Sequence, residues 1–432
     1  ELTVTVTATN NGTANAYNLR ILDDLTDRNM TFIQGSVSGA DPPDTVDITT
    51  FGANQPVFSW LPANPLPPGT TRSFTFRVRV NTAAQPLEIL DNTLQSDWTS
   101  LPGQSTALNS TGLIGANGSL TGMRIGALPN AGDAINDYET TASASVSVPP
   151  LSMSKTDLDP TILPEIGAHK PFEILIDLPE GTTNNLVVTD NLAAGSVSYM
   201  LARNADFDIS YSFEGIASIN GQPPAEAVFN SFPADGATGS IAWDIGTVVT
   251  QTEDDQTINN INPRIRIRYH ARLNNDLVTD AGDTLQNGVA LTYNNGETGA
   301  IETLNDATAL ITATESLLSI TKGVTAISPL PLTGGDILEY TITAVNNGDA
   351  MAYDVNLVDT LPPELWLYTS FTPTATISGS AVAGFVAIPA GSPAGRLVWG
   401  RDNGDASLDI PAGESLVLTY PVSYTHLRAH ET

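Results

Sequence analysis

The chain contains one sequence unit three times, and this repetition restricts its fold more than any other feature. The first copy reads TATNNGTANAYNLRILD over residues 7–23, and the last reads TAVNNGDAMAYDVNLVD over residues 343–359. A diverged middle copy, NNLVVTDNL, covers residues 184–192. For a chain of 432 residues, three copies of a unit this long indicate a row of similar domains, each with its own core.

Two further landmarks recur at matching positions. Residues 151–155 read LSMSK and residues 318–322 read LSITK, so the joint between units is itself repeated. Each copy also has a single tryptophan in an apolar segment before a polar turn, a position typical of the core of a β-sandwich. These three residues, which we predict to be buried, are Trp60, Trp243 and Trp399.

The polar and apolar residues alternate with a period of two, which is the pattern of half-buried β-strands. In one segment the residues from Ile265 to Leu273 alternate with arginine and histidine. Turn dipeptides such as Asn11-Gly12 and Pro68-Gly69 separate these segments. We therefore predict an all-β chain of tandem immunoglobulin-like β-sandwich domains, with the Asn-Asn-Gly turn closing a hairpin.

The landmarks divide the chain into three repeats, of which the first and last are truncated. Residues 1–149 form a repeat without its first strand, and residues 150–316 form a complete repeat. Residues 317–421 form a repeat without its last strands. The segment 422–432 does not continue the preceding pattern and resembles the translation of a sequencing adaptor. We expect it to pack poorly, except that Val422 and Tyr424 could mimic the strand that the segment interrupts.

Three motifs of the last repeat carry a resemblance to a known family. They are SITK at residues 319–322, GDILEYTITAVNNG at 335–348 and VNLVDTLPPEL at 355–365. Together they resemble the domain-of-unknown-function-eleven repeat and the related fimbrial isopeptide-forming domain of bacterial surface proteins. The resemblance implies a secreted or cell-surface protein whose repeats contact one another and act as a structural stalk. An adhesive module that binds a glycan or a protein ligand is the alternative.

Composition argues against several classes of function. The formal net charge of −30 disfavours nucleic acid and anionic membranes as partners. No cysteine is present, which excludes disulfides and thiolate metal sites, and no apolar run is long enough to span a membrane. Two of the four histidines, His426 and His430, fall in the final segment. We therefore predict no enzyme activity, no metal and no cofactor.

Lysine is rare and its positions repeat. Of the three lysines, Lys155 and Lys322 occupy the same position in consecutive repeats. The resemblance implies that such a first-strand lysine can join a late-strand asparagine through an isopeptide bond, assisted by a carboxyl group. For Lys155 the acid is Asp190, the best acceptor is Asn287 and the second is Asn305.

The other two repeats carry only parts of this set. Lys322 and Asp359 are the equivalents in the last repeat, and Asp23 and Asn92 are those in the first. The alternative is that the lysine stems merely cover apolar surface while their ammonium groups reach water. The aspartates would then cap the backbone amides of the following turns.

Overall fold

The computed structural model describes residues 1–26, 28–102, 126, 138–193, 198–251, 263–274, 280–393 and 395–424. The fold is all-β, a series of immunoglobulin-like sandwiches, and the two short 3-10 turns lie at Glu226–Val228 and Arg401–Asn403. Among these residues no helix has the length and apolar character needed to cross a membrane.

Unit one comprises the first eight strands, arranged in two sheets. One sheet has the order β1-β6-β3 and the other has the order β4-β5-β2-β7-β8, with antiparallel pairs throughout. The strands are β1 (Leu2–Thr9), β2 (Tyr17–Asp24), β3 (Met30–Phe32), β4 (Thr45–Asp47), β5 (Val57–Ser59), β6 (Thr71–Val80), β7 (Ile89–Thr99) and β8 (Glu139–Ser147).

Unit two repeats this plan and adds a strand at the edge of the first sheet. Its sheets have the orders β12-β16-β10-β9, with β13 also on β16, and β14-β15-β11-β18-β19, beside a small β17-β20 pair. The strands are β9 (Ser152–Asp157), β10 (His169–Asp177), β11 (Thr182–Asn191), β12 (Tyr199–Ala202), β13 (Ser210–Glu214), β14 (Ile216–Ile219), β15 (Ser240–Thr250), β16 (Arg264–Leu273), β17 (Thr284–Leu285), β18 (Gly288–Asn294), β19 (Ile301–Ala307) and β20 (Ile311–Thr312).

Unit three has the same central pairs. Its sheets have the orders β21-β22-β28-β25-β26, with β24 also on β28, and β23-β27. The strands are β21 (Leu318–Ala326), β22 (Ile337–Asn346), β23 (Asn356–Thr360), β24 (Leu365–Leu367), β25 (Thr374–Ile377), β26 (Ser380–Ala381), β27 (Arg396–Gly400) and β28 (Ser415–Tyr424). The pair β22-β28 thus corresponds to β10-β16 in unit two and to β1-β6 in unit one.

Three separate hydrophobic cores lie between the paired sheets. They are built from residues 6–148, 151–313 and 342–422, respectively. One tryptophan is buried in each core, and its indole N–H finds an oxygen acceptor: Trp60 with Pro42, Trp243 with Tyr211 and Trp399 with Ala387. In the central strands of each unit, period-two alternation turns one side of the strand towards the core of that unit.

The Asn-Asn-Gly motif does not close a hairpin, and that prediction is wrong. In units one and three the strands before and after it belong to different sheets. The Asn10 side chain donates to the carbonyls of Ala14 and Leu66, and its oxygen accepts from the Gly12 N–H. These bonds satisfy backbone groups at the corner where the chain passes between sheets. Asn346 makes the equivalent bonds in unit three.

Backbone hydrogen bonds join unit one to unit two. The Thr182 N–H donates to the Ala84 carbonyl at 2.8 Å, and the Gly296 N–H donates to the Pro86 carbonyl at 2.8 Å. Gly181 has a φ of +132°, and a Cβ there would lie 2.1 Å from the Ala84 oxygen, so the close approach requires glycine. Neighbouring repeats are thus direct contact partners within the chain.

The last strand runs beyond the predicted end of the third repeat. β28 continues through Val422, which is fully buried, to Tyr424. Val422 and Ser423 pair with both β22 and β24, and Tyr424 pairs with β24. The alternation of apolar residues that begins at Leu416 extends to these positions, which is why they pack. Residues 425–432, the remainder of the segment attributed to an adaptor, lie outside the described residues.

Replacement of a core tryptophan should destabilise its unit strongly. We expect Trp243→Ala to lower the free energy of unfolding of unit two by about 3–5 kcal/mol, because the change leaves a large cavity. Trp366→Ala, at a tryptophan that is 45% exposed, is the matched control and should cost less than about 1 kcal/mol. Urea unfolding followed by circular dichroism measures both, and equal losses would contradict the assignment of Trp243 to the core.

Candidate cross-link site

Lys155 lies on the edge strand of unit two and points into the core. β9 pairs with β10 in the register that sets Lys155 opposite Ile174. Strand alternation puts Leu151 and Lys155 on the same inward side, and the lysine side chain is 0% exposed. An ammonium group in such a place needs polar partners, because burying it without them is costly.

Those partners come from the opposite sheet. Asp190, near the end of β11, and Asn287, just before β18, are both buried. Lys155 Nζ donates to Asp190 Oδ1 at 2.5 Å and to Asn287 Oδ1 at 2.6 Å. The structure therefore brings together the lysine, the acid and the preferred acceptor that the sequence singled out.

Tyr269 is a fourth member of this cluster that the sequence analysis missed. Its hydroxyl donates to Asp190 Oδ2 and accepts from Asn287 Nδ2 at 3.1 Å. The alternation of β16 marks this residue only as a core aromatic. A comparison of the units could have singled it out. The equivalent residue is Tyr420 in unit three, which also has the lysine, and Phe76 in unit one, which has no hydroxyl.

Asn305, the second candidate acceptor, is not part of the cluster. It is exposed on β19, because the alternation of that strand turns the next residue inward in its place. That residue, Asp306, accepts a hydrogen bond from the Lys155 backbone N–H at 2.6 Å. Asp306 therefore links the lysine strand to the second sheet. Of the two candidate acceptors, Asn287 contacts Lys155 and Asn305 does not.

Burial shifts the ionisation of the lysine and the aspartate in opposite directions. Desolvation lowers the pKa of Lys155, and it raises the pKa of Asp190. Desolvation also raises the pKa of Tyr269, and the neighbouring Asp190 adds to that effect. Transfer of one proton from Nζ to Oδ1 would remove both charges from the core, leaving a neutral amine beside a carboxamide and a carboxylic acid.

Unit three holds part of the same arrangement. Lys322 Nζ donates to Asp359 Oδ1 at 2.6 Å, and the Tyr420 hydroxyl donates to the other oxygen of that carboxylate. Within the described part of the chain, Asp359 is the one hydrogen-bond partner of Lys322 Nζ, which lies 4.3 Å from the centre of the Tyr340 ring. The lysine side chain is 37% exposed, so this site is wetter than that of unit two.

Unit one holds the complementary part. Asp23 and Asn92 are buried, and the Asn92 amide donates to Asp23 Oδ2 at 3.3 Å. Among the described residues, the Oδ1 atoms of both side chains have no hydrogen-bond partner. Phe76 lies where the other units have tyrosine, so no hydroxyl is present at this position. Desolvation raises the pKa of Asp23 to about 7. An acid and an amide thus stand together in unit one, with no lysine beside them in the described residues.

Comparisons with known proteins give likenesses of fold at low identity. No family model matches the chain, so the domain-of-unknown-function-eleven repeat is not matched either, and no curated protein matches it. BcpA, the major pilin subunit of Bacillus cereus, is 11% identical over 96% of this chain and 87% of that chain, with a TM-score of 0.27.

Two other solved structures are similar at the same level. The full-length major pilin SpaD of Corynebacterium diphtheriae is 10% identical over 95% of this chain and 80% of that chain, with a TM-score of 0.25. The C-terminal domain of BspA, an AgI/II polypeptide of Streptococcus agalactiae, is 12% identical over 64% of this chain and 92% of that chain, with a TM-score of 0.23.

The raised pKa of Asp23 should make unit one less stable as pH rises. The folded state holds this proton up to about pH 7, whereas the unfolded chain releases it near the ordinary value of 3.8. The contribution to the free energy of unfolding is therefore full below about pH 4, and about 4 kcal/mol of it is lost between pH 4 and pH 7. Urea unfolding at several pH values measures this slope.

Asp23→Asn should remove that slope, because asparagine does not titrate in this range. Asp91→Asn, which changes an exposed carboxylate on the outer face of the same sheet, is the control and should keep the slope. An identical pH dependence in wild type and Asp23→Asn would show that Asp23 is ionised in the folded protein.

Proposed function

We propose that this chain is a stalk segment of a secreted or cell-surface bacterial protein, in which tandem sandwich units act as spacers. The observation that carries the proposal is the buried contact of Lys155 with Asp190 and Asn287. This arrangement holds the parts needed for an amide bond between the lysine and the asparagine. Such a bond would lock unit two against extension in a chain that has no cysteine to form disulfides.

The proposed reaction is an exchange of one amide for another. The neutral Lys155 amine attacks Cγ of Asn287, so a Nζ–Cγ bond forms and the Cγ–Nδ2 bond breaks. The Asp190 carboxyl takes the proton lost by Nζ and gives a proton to the departing nitrogen, which leaves as ammonia. The Tyr269 hydroxyl, bonded to both Asp190 and Asn287, orients the acid and the amide for this step.

The position of the bond suits a part that bears tension. Lys155 lies on the first strand of unit two and Asn287 lies before β18, the next-to-last strand of its sheet. A pull on the chain enters unit two at the lysine strand, and the bond would pass that force across the core to β18, the strand that follows Asn287. The 131 residues between Lys155 and Asn287 would then bear no load. The hydrogen-bonded joint between units one and two supports the same role.

Intact-mass spectrometry of the full chain tests the bond. We expect a mass lower than that of the sequence by one ammonia, about 17 Da, because amide exchange expels the asparagine nitrogen. Lys155→Ala and Asn287→Ala should each restore the sequence mass, as should Asp190→Asn, which removes the acid but no atom of the bond. Fragmentation of a digest should recover one branched peptide that contains both Lys155 and Asn287.

Two matched variants control for the other candidates. Lys322→Ala removes the lysine of unit three, and Asn305→Ala removes the exposed asparagine, so both should keep the deficit of about 17 Da. A wild-type mass equal to that of the sequence would overturn the cross-link. A deficit that persists in Asn287→Ala would overturn the choice of acceptor.

Single-molecule pulling tests the stalk role directly. When unit two unfolds, the cross-link should hide the 131 residues between Lys155 and Asn287 from the applied force. Its unfolding step should be shorter in wild type than in Asn287→Ala by roughly 450 Å, the extended length of that segment. Equal step lengths in the two proteins would show that no bond carries the load, and unit three supplies an internal reference in both.

A further inference from the structure

The end of β19 contacts the main chains of both residues that the proposed amide exchange joins. Asp306 Oδ2 accepts a hydrogen bond from the Lys155 backbone N–H at 2.6 Å. Two residues further along, the Thr308 N–H donates to the Asn287 carbonyl at 3.0 Å, and Thr308 Oγ1 accepts from the Asn287 N–H at 3.3 Å. Residues 306–308 therefore hold the lysine and the asparagine side by side.

The lysine strand benefits from such a contact because it lies at the edge of its sheet. In the sheet order β9 has β10 on one side, and its other side faces β19 of the second sheet. In an antiparallel pair, alternate residues turn their N–H groups away from the partner strand, and Lys155 is one of these. The bond to Asp306 satisfies this N–H and restrains the strand at the residue that carries the amine.

Lys155 is thus held at both ends of its side chain. Its backbone N–H is bonded to Asp306, and its ammonium group is bonded to Asp190 and Asn287. A lysine side chain is flexible, so fixing its main chain narrows the positions that Nζ can reach. Two groups that are already held in attack geometry have little entropy to lose when they react. The contact with Asp306 therefore favours the encounter of the amine with the carboxamide.

The charge of Asp306 does not assist the reaction. Desolvation lowers the pKa of Lys155, whereas the carboxylates of Asp190 and Asp306 raise it. A carboxylate that raises this pKa opposes the neutral amine that the exchange requires. Asp190 compensates by taking the proton itself, but Asp306 is bonded to the backbone N–H and not to Nζ. The benefit that Asp306 brings is therefore one of position.

Unit one shows that the sheet does not need polar side chains at these two places. On the corresponding ladder, the positions of Asp306 and Thr308 are held by Ala142 and Ala144. The register establishes this equivalence, because Ala144 lies opposite Asn92, the counterpart of the acceptor asparagine. β8 pairs with β7 through both alanines. Alanine at these positions is thus compatible with the sandwich, and the polar pair in unit two serves another purpose.

We propose that Asp306 is a positioning residue for the cross-link of unit two, and that Thr308 assists it from the side of the asparagine. Asp306 sets the main chain of Lys155 and Thr308 sets that of Asn287, so that the amine faces the carboxamide carbon. Within the described residues, the hydrogen bonds of both side chains go to main-chain groups and not to the reacting atoms. Asp190 remains the group that moves the protons. The inference rests on the cross-link proposed for this unit.

The rate at which the cross-link forms tests the inference. The full chain is made by cell-free translation, synthesis is stopped, and samples are denatured in acid at intervals. Digestion and mass spectrometry then give the fraction of Lys155 that is joined to Asn287. We expect Asp306→Ala to slow the formation by roughly 10- to 100-fold, because the amine is no longer held in attack geometry. The bond should still form in the end, since every reacting group remains.

Three further variants separate position from charge and from general damage. Asp306→Asn keeps an oxygen that can accept from the Lys155 N–H, so it should react at a rate close to that of wild type. Thr308→Ala loses one of two bonds to Asn287 and should slow the formation less than Asp306→Ala. Asn305→Ala, at an exposed residue of the same strand, is the control and should leave the rate unchanged. Circular dichroism of each variant should match that of wild type.

The outcomes distinguish this inference from the cross-link on which it rests. Equal rates in wild type and Asp306→Ala would overturn the role of Asp306 and leave the cross-link in place. A rate for Asp306→Asn as low as that for Asp306→Ala would show that the charge is needed, and it would also overturn the positioning role. A wild-type chain that never loses ammonia would overturn the cross-link of unit two and this inference with it.

Discussion

The structure of unit two depends on how its core accommodates Lys155 and Asp190. Two opposite charges buried together lose more hydration than their attraction returns unless each is also hydrogen-bonded. Here every polar atom of the group has a partner, since the lysine contacts Asp190 and Asn287 and the carboxylate also accepts from Tyr269. The same desolvation that makes the charged pair costly also favours its neutral form, which is the form that the proposed amide exchange requires.

The described residues of the three units hold different members of this group. Unit two has lysine, acid, amide and tyrosine, and no atom of its buried lysine, acid and amide stands without a partner. Unit three has the lysine, the acid and the tyrosine, and its ammonium group is partly exposed to water. Unit one has the acid and the amide, and each has one oxygen atom without a hydrogen-bond partner in the part of the chain that the structure describes. The sites of units one and three therefore contain some of the polar groups found in unit two, but not all of the hydrogen-bond partners that those groups have there.

Much of this organisation could be predicted from the sequence because it is periodic. Alternation identified the strands, and the repeated landmarks aligned Lys155 with Lys322 and Asp23 with Asp190. What alternation does not encode is which sheet a strand joins, so the Asn-Asn-Gly corner was mistaken for a hairpin. Nor does it tell which of two adjacent residues on β19 faces the lysine, or that a core aromatic ring carries a needed hydroxyl. Those depend on contacts between segments that are distant in the chain, as with Tyr269 and Asp190.

The joint between units one and two combines hydrogen bonds between backbone groups with hydrogen bonds that involve side chains. The Thr182 N–H donates to the Ala84 carbonyl, which also lies close to Gly181, and the Gly296 N–H donates to the Pro86 carbonyl. The bonds that involve side chains are those from Asn184 to Gln85, from Thr182 Oγ1 to the Thr82 carbonyl and from the Ile89 N–H to Glu297. All of these groups lie at the joint, so substitutions on the outer faces of the sandwiches leave them in place. A row of such units can therefore keep a constant spacing while its outer faces diverge.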